Sequence, residues 1–321
     1  MMQPARLFLR SRAMAGVSLF AAALAACVPV APTGPTASSP RPRPAAAPRP
    51  AETPKSAAAR AYYAQLQASL LQQGLLRTDG GGADTPFNDR MLAENFLRIA
   101  LYDEYSRSGG GGFVRSESAS VVRRWQIPVR VAVSFGASVP DDRRATDRAR
   151  ISSYLSRLAR LTNHPISLVD SGANFTIHIV SEDEREALGP TLAAQLPGLS
   201  PRDIADVTGM PRSTYCLVYA LSEGNSGAYT RAVAVVRAEH PDLLRQSCFH
   251  EEIAQGLGLA NDSPAARPSI FNDDEEFALL TRQDELMLKM LYDPALRPGM
   301  TLAEARPIVF SLASRLLGGE S

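Results

Sequence analysis

The chain has 321 residues, with 34 Lys and Arg against 33 Asp and Glu, and four histidines. A balance so near neutral gives no basic surface of the kind a dedicated nucleic-acid binder needs, so nucleic acid is not an expected partner. About 260 residues lie beyond the leader and linker described next, enough for one sizeable domain with helical additions.

Residues 1–26 place Arg6, Arg10 and Arg12 ahead of an apolar run from Ala13 to Ala26. Charge followed by a short apolar stretch is the order of a bacterial export signal, and the stretch is too short for a comfortable membrane span. It ends at Leu24-Ala25-Ala26-Cys27, which resembles the lipobox of bacterial lipoproteins. That resemblance implies cleavage before Cys27 and acylation there, palmitate included, with enough chains for a stable membrane anchor. Val28 stands where an aspartate often retains such proteins at the inner membrane, so the expected place is the outer membrane, facing the periplasm. The competing reading is an ordinary cleaved signal followed by a chance cysteine. Residues 27–57 continue rich in Pro, Ala and Ser. Such a segment cannot bury a core and should form an extended tether.

Residues 58–115 read as a helical cap. The spacing of Tyr62, Leu66, Leu70 and Leu71 predicts a helix over Ser56 to Arg77, stopped by Gly80-Gly81-Gly82. Asn88 is the expected cap of a second helix reaching Tyr105, with Met91, Phe96, Ile99 and Leu101 on its apolar side. A further glycine run, Gly109 to Gly112, then separates this pair from the main domain, 116–321.

In the main domain, "WQIPVRVAVSF" from Trp125 reads as a strand. Residues 141–162 read as a helix with Ile151, Leu155, Leu158 and Leu161 on one face. "ISLVD" and "NFTIHIVS" follow as strands, then "STYCLVYAL" and "AYTRAVAVVRA", close enough for a hairpin around Glu223-Gly224-Asn225. A long helix starts near Pro241 or Leu243 and runs to Leu257, and two more cover Thr281 to Tyr292 and Leu302 to Leu317. The order is α+β with a mixed sheet.

With Cys27 acylated, Cys216 and Cys248 are the remaining thiols, and an even pair in an oxidising compartment favours a disulfide. It would tie a strand to the long helix. The alternative is a nucleophilic pair of Cys248 and His250, but side chains two residues apart on a helix diverge.

That long helix carries "CFHEEIAQGLGLAND", Cys248 to Asp262. It resembles the zinc-protease helix His-Glu-x-x-His followed by Leu-Gly-Leu, whose two histidines share one face while the glutamate serves a metal-bound water as base. In the register of Leu257-Gly258-Leu259, Glu251 takes the first histidine position, Glu252 the catalytic glutamate and Gln255 the second histidine. Gly258 matches the glycine at which metzincin chains turn, and Asn261, with Asp262 beside it, falls at the third ligand. "SIFNDDEEFALLTRQDELMLKMLYDP" is similar to the matrixin-type tail, with Ile270-Phe271-Asn272 where the turn beneath the metal usually has a methionine. Together, "EEIAQGLGLANDS", "SIFND" and "LYDPALRPGM" resemble an uncharacterised bacterial family, domain of unknown function 2927, whose name implies no reaction.

The resemblance implies a zincin-like α+β fold with a degenerate site. Glu251, Gln255, Asn261 and Asp262 are the candidate metal ligands and Glu252 the candidate base. An oxygen set of this kind suits calcium, magnesium or manganese, and losing both imidazoles disfavours zinc. The competing reading is structural: Glu251 and Glu252 as ordinary helix polar residues, Gln255 satisfying backbone groups, and Leu257-Gly258-Leu259 as a helix stop. His164, His178 and His240 are scattered, and the run Asn272 to Glu276 reads as a solvated loop. The expected function is a membrane-anchored envelope lipoprotein that binds an extended peptide or envelope polymer or serves a structural role. An atypical metallopeptidase or hydrolase using Glu252 is the alternative.

Overall fold

Thr53 opens α1 (Pro54–Gln72): its hydroxyl accepts the Ser56 amide, and Pro54 sits in the first turn, where a missing N–H costs nothing. The structure is a computed structural model that describes residues 50–107, 113–224, 226–272 and 274–318. Cys27, the leader, most of the tether, the run Gly109 to Gly112 and Asp273 lie outside the described residues. Residues Pro48–Ser321 form one compact unit.

The buried face of α1 is Ser56, Ala59, Tyr63 and Leu70, while Tyr62 and Leu71 are exposed, one residue round from expectation. Tyr63 decides this, because its ring meets His240 and Tyr215 at centroid separations of 4.5 and 6.0 Å and its hydroxyl donates to the Arg212 carbonyl. The helix also stops short of Arg77. From Gly74, at φ +77°, the chain becomes a strap in which Leu76 and Arg77 donate to the Glu275 and Glu276 carbonyls.

Asn88 caps α2 (Asp89–Ala100) through the Met91 amide, as its sequence suggests. This helix ends before Tyr105, since β1 (Tyr102–Arg107) pairs antiparallel with β2 (Phe113–Ala119). Leu101 is buried at the helix end, so the apolar period outlasts the last turn and hides the change.

The expected first strand of the sheet is two. Pro128 has no N–H for a ladder, and it falls between β3 (Arg124–Trp125) and β4 (Val129–Phe135). Then come α3 (Asp141–Thr162), β5 (Ile166–Leu168) and β6 (Phe175–Val180). Three short helices that no apolar period marks follow: α4 (Glu182–Glu186), α5 (Gly189–Gln195) and α6 (Pro201–Thr208). The hairpin of β7 (Cys216–Ser222) and β8 (Ala228–Arg237) leads into α7 (Asp242–Leu257), and α8 (Arg282–Leu291) and α9 (Leu302–Leu317) complete the described elements.

The sheet runs β3-β8-β6-β4-β5, parallel throughout, with β7 antiparallel on β8. Residues 232–236 of β8 are buried on both faces, which is why that strand reads as nearly continuous apolar sequence. Ala232, Ala234 and Val236 face the main core with α3 and α7, whereas Val233 and Val235 face Leu192, Leu196 and Val207 of the short helices. Among the described residues, no helix is long and apolar enough to cross a membrane.

Candidate functional site

Helix α7 is buried along almost its whole length. Between Ser247 and Leu259, Glu251 alone reaches solvent in part; Glu252 is 3% exposed and Gln255 9%. At the sheet side the helix presses Gly256 on the Phe175 ring, and Trp125 Nε1 donates to the Gly256 carbonyl at 2.8 Å. A disulfide joins Cys216, the first residue of β7, to Cys248 in α7, so a strand and the motif helix are covalently tied. The bond also removes Cys248 as a nucleophile.

The candidate residues divide into three groups. Glu251 and Glu252 turn carboxylate oxygens toward the start of β7, where they and the Cys216 sulfur lie within 4.8 Å of one another. Gln255 is elsewhere: its amide donates to Asp262 at 3.0 Å. Asn261 is committed to α2, its backbone N–H donating to the Ile99 carbonyl and its side-chain amide to that of Arg98. The expected ligand set of Glu251, Gln255, Asn261 and Asp262 is therefore split among three neighbourhoods.

Zinc does not fit this donor set. His250 packs on Tyr154 at 4.0 Å, its Nδ1 accepts the Leu280 amide, and burial pushes its pKa down to about 3, so the ring is neutral. His164 bonds the Ile127 carbonyl and His178 the Gln195 side chain. His240 approaches the far end of the motif, with Nδ1 3.7 Å from Cys248 Sγ. What remains near Gln255 is an amide and one carboxylate already bonded to each other, a poor match for a nitrogen- and sulfur-preferring ion.

Beneath this helix end, the turn from Ser269 to Asn272 is held from α8. Asp284 accepts the Ser269 hydroxyl at 2.5 Å and the Ile270 amide at 3.1 Å, and Phe271 is fully buried. The following acidic run is less solvated than its composition suggests. Glu276 is 9% exposed and paired with Arg267 and Arg77, which hold its carboxyl below the usual range.

The chain belongs to the family described as Protein of unknown function (DUF2927). The match covers residues 89–311, from α2 to α9, and so contains every α7 residue discussed above. No curated protein and no solved structure matches the chain.

Two further features near these residues carry no signal in the sequence. Tyr215, beside the disulfide, has its hydroxyl pKa pushed up to about 12 by burial, then by the charges of Glu275, Tyr62 and Glu251. Nothing in a lone tyrosine before a strand signals that. The second is β7 itself, which among the described residues has β8 as its one strand partner and is half-buried throughout. A cavity of about 530 Å³ lined by Ser120, Arg123, Ser222, Gly224, Gly227 and Thr301 lies at the opposite end of β7 from Cys216.

Proposed function

We propose that this protein is a lipoprotein anchored through Cys27 to the outer membrane, whose degenerate zincin-like domain binds an extended peptide in the periplasm without cutting it. The observation that carries the reading is the pairing of a one-sided edge strand, β7, with the carboxylates of Glu251 and Glu252 at its first residue. An edge strand offers main-chain hydrogen bonds to an incoming strand, and flanking charge selects among sequences. The partly exposed Glu251 carboxylate, with buried Glu252 behind it, favours a peptide carrying Lys or Arg at the matching position. The zincin derivation is supported by the Glu-Glu-x-x-Gln register, the turn at Gly258 and the supported turn at Ser269 to Asn272. A binding role is supported over hydrolysis by the burial of Glu252 and by the mutual bond of Gln255 and Asp262.

The test is a fluorescent library of extended basic and acidic peptides titrated against the purified protein, with mass spectrometry of the peptides afterwards. Basic peptides should bind and remain intact, and N-methylation of alternate peptide amides should abolish binding. Cleaved peptides would instead establish the hydrolase. No binding by any peptide would leave a structural role. Anchoring is tested separately: Cys27→Ala should move the protein from the membrane to the soluble fraction.

A further inference from the structure

The disulfide conceals a second set of donors. Cys216 Sγ already lies within 4.8 Å of carboxylate oxygens of Glu251 and Glu252, and on the other sulfur His240 Nδ1 stands 3.7 Å from Cys248. While the bond is intact neither sulfur is a thiolate, and two carboxylates alone suit zinc poorly. We propose that Cys216, Glu251 and Glu252, completed by the Cys248 sulfur, form a thiol-gated site for a thiophilic divalent metal such as zinc, closed in the disulfide form and opened by a dithiol reductant. The site uses neither Gln255 nor Asp262 and does not depend on peptide binding.

The geometry accommodates the change. Two sulfurs on one tetrahedral zinc stand about 3.7 Å apart for bonds of about 2.3 Å, and the two Cα atoms are 5.9 Å apart, so both thiolates can face one ion. Cys216 and Glu251 are half-buried and give an entry, whereas Cys248, Glu252 and His240 are buried and supply a fixed wall. Opening is a thiol–disulfide exchange. A reductant thiolate attacks Cys216 Sγ, a mixed disulfide forms, and Cys248 leaves as a thiolate that takes up a proton. Its S–H then has His240 Nδ1 as an acceptor. The second thiol of the reductant resolves the mixed disulfide, so two electrons pass to the protein and the reductant departs as its own disulfide. Metal binding then displaces the two thiol protons to water. Without an ion, two thiolates and two carboxylates would repel one another, which links metal uptake to the reduced form.

Cobalt(II) reports this site directly, because thiolate ligation gives it a charge-transfer absorption. Full-length protein in detergent is titrated with cobalt before and after reduction by a phosphine, with near-UV circular dichroism recorded alongside. Oxidised protein should show no band. Reduced protein should show one at one equivalent of metal, removed by added zinc. Cys248→Ala, which frees Cys216 without reductant, should show a weaker band, and Cys216→Ala, which keeps Cys27 and Cys248, none. Glu251→Gln with Glu252→Gln should weaken binding about tenfold or more. The proposal is overturned if folded reduced protein shows no band, or if the band survives Cys216→Ala or is unchanged in the double glutamine variant. It is overturned equally if reduced protein and Cys248→Ala both lose their near-UV signal, since the site requires a folded dithiol state.

Discussion

The Gln255 amide donates to the Asp262 carboxylate at 3.0 Å, bridging the turn that Gly258 makes at the end of α7. In the zincin register these positions belong to the second ligand and the neighbour of the third. Here they satisfy each other, so Gln255 serves the turn. Gln255→Ala should lower stability by about 1–2 kcal/mol, the size of a charge-assisted hydrogen bond with one end removed. Urea unfolding measures that loss, and elemental analysis of the same variant should find metal content equal to wild type.

His250 tests the register from the other side. If the motif were counted from this histidine, its substitution would alter a ligand. The structure instead gives it a ring stacked on Tyr154 and a nitrogen accepting the Leu280 amide. His250→Ala should therefore cost about 2–4 kcal/mol through the cavity and the orphaned donor. Because burial lowers its pKa from 6.5 to about 3, its contribution is present above pH 6.5 and is lost as pH falls toward 3. Denaturation of wild type and His250→Ala across that window should show wild-type stability falling more steeply with acid.

Much of this arrangement was legible in the sequence, and the failures have physical causes. The span of α3, the β7–β8 hairpin, the disulfide and the end of α7 at Leu257 each rest on a local signal. Those signals are period, turn chemistry, cysteine parity and a stop glycine. The face of α1 failed because Tyr62 and Tyr63 are adjacent, and only the distant partners Tyr215 and His240 decide between them. The helices α4 to α6 were missed because five to eight residues are too few to show a period. Their capping boxes, Ser181 with Glu184 and Ser200 with Asp203, were readable. At the site, adjacency in sequence suggested one ligand group. The turn after α7 sends Asn261 to α2 and Asp262 to Gln255, a separation that depends on tertiary contacts.

Asp284 predicts a pH dependence of opposite sign to that of His250. Burial, the largest influence, raises its pKa from 3.8 to about 6 against four hydrogen bonds, from Ser269, Ile270 and both donors of Thr281. A carboxyl raised on folding stabilises the fold fully below its unfolded pKa, and that contribution is lost as pH climbs through the folded one. Between pH 4 and 6 Asp284 should thus subtract stability as pH rises. Asp284→Asn cannot titrate and should lack that slope in paired denaturation series. If the two slopes match over this window, burial does not dominate and the four donors hold the carboxylate ionised.

Gly258 and Gly256 close α7 two residues apart, yet their substitutions should differ in cost. At Gly258, φ is +128°, a conformation unfavourable for any residue with a Cβ, and that Cβ would overlap the backbone carbonyl of Arg123. A backbone neighbour cannot rotate away. At Gly256 the helix geometry is ordinary, and an added Cβ meets the Phe175 ring at 2.6 Å, a side chain that can tilt. Gly256→Ala should cost about 1–3 kcal/mol by overpacking. Gly258→Ala should cost that plus about 1–2 kcal/mol of backbone strain, and it should detach the loop bearing Asn261 and Asp262. Urea midpoints rank the two variants, and hydrogen exchange at the Asn261 amide, bonded to Ile99 in the wild type, reports the loop. Equal midpoints would mean that packing on Phe175, rather than the turn at Gly258, sets the end of the helix.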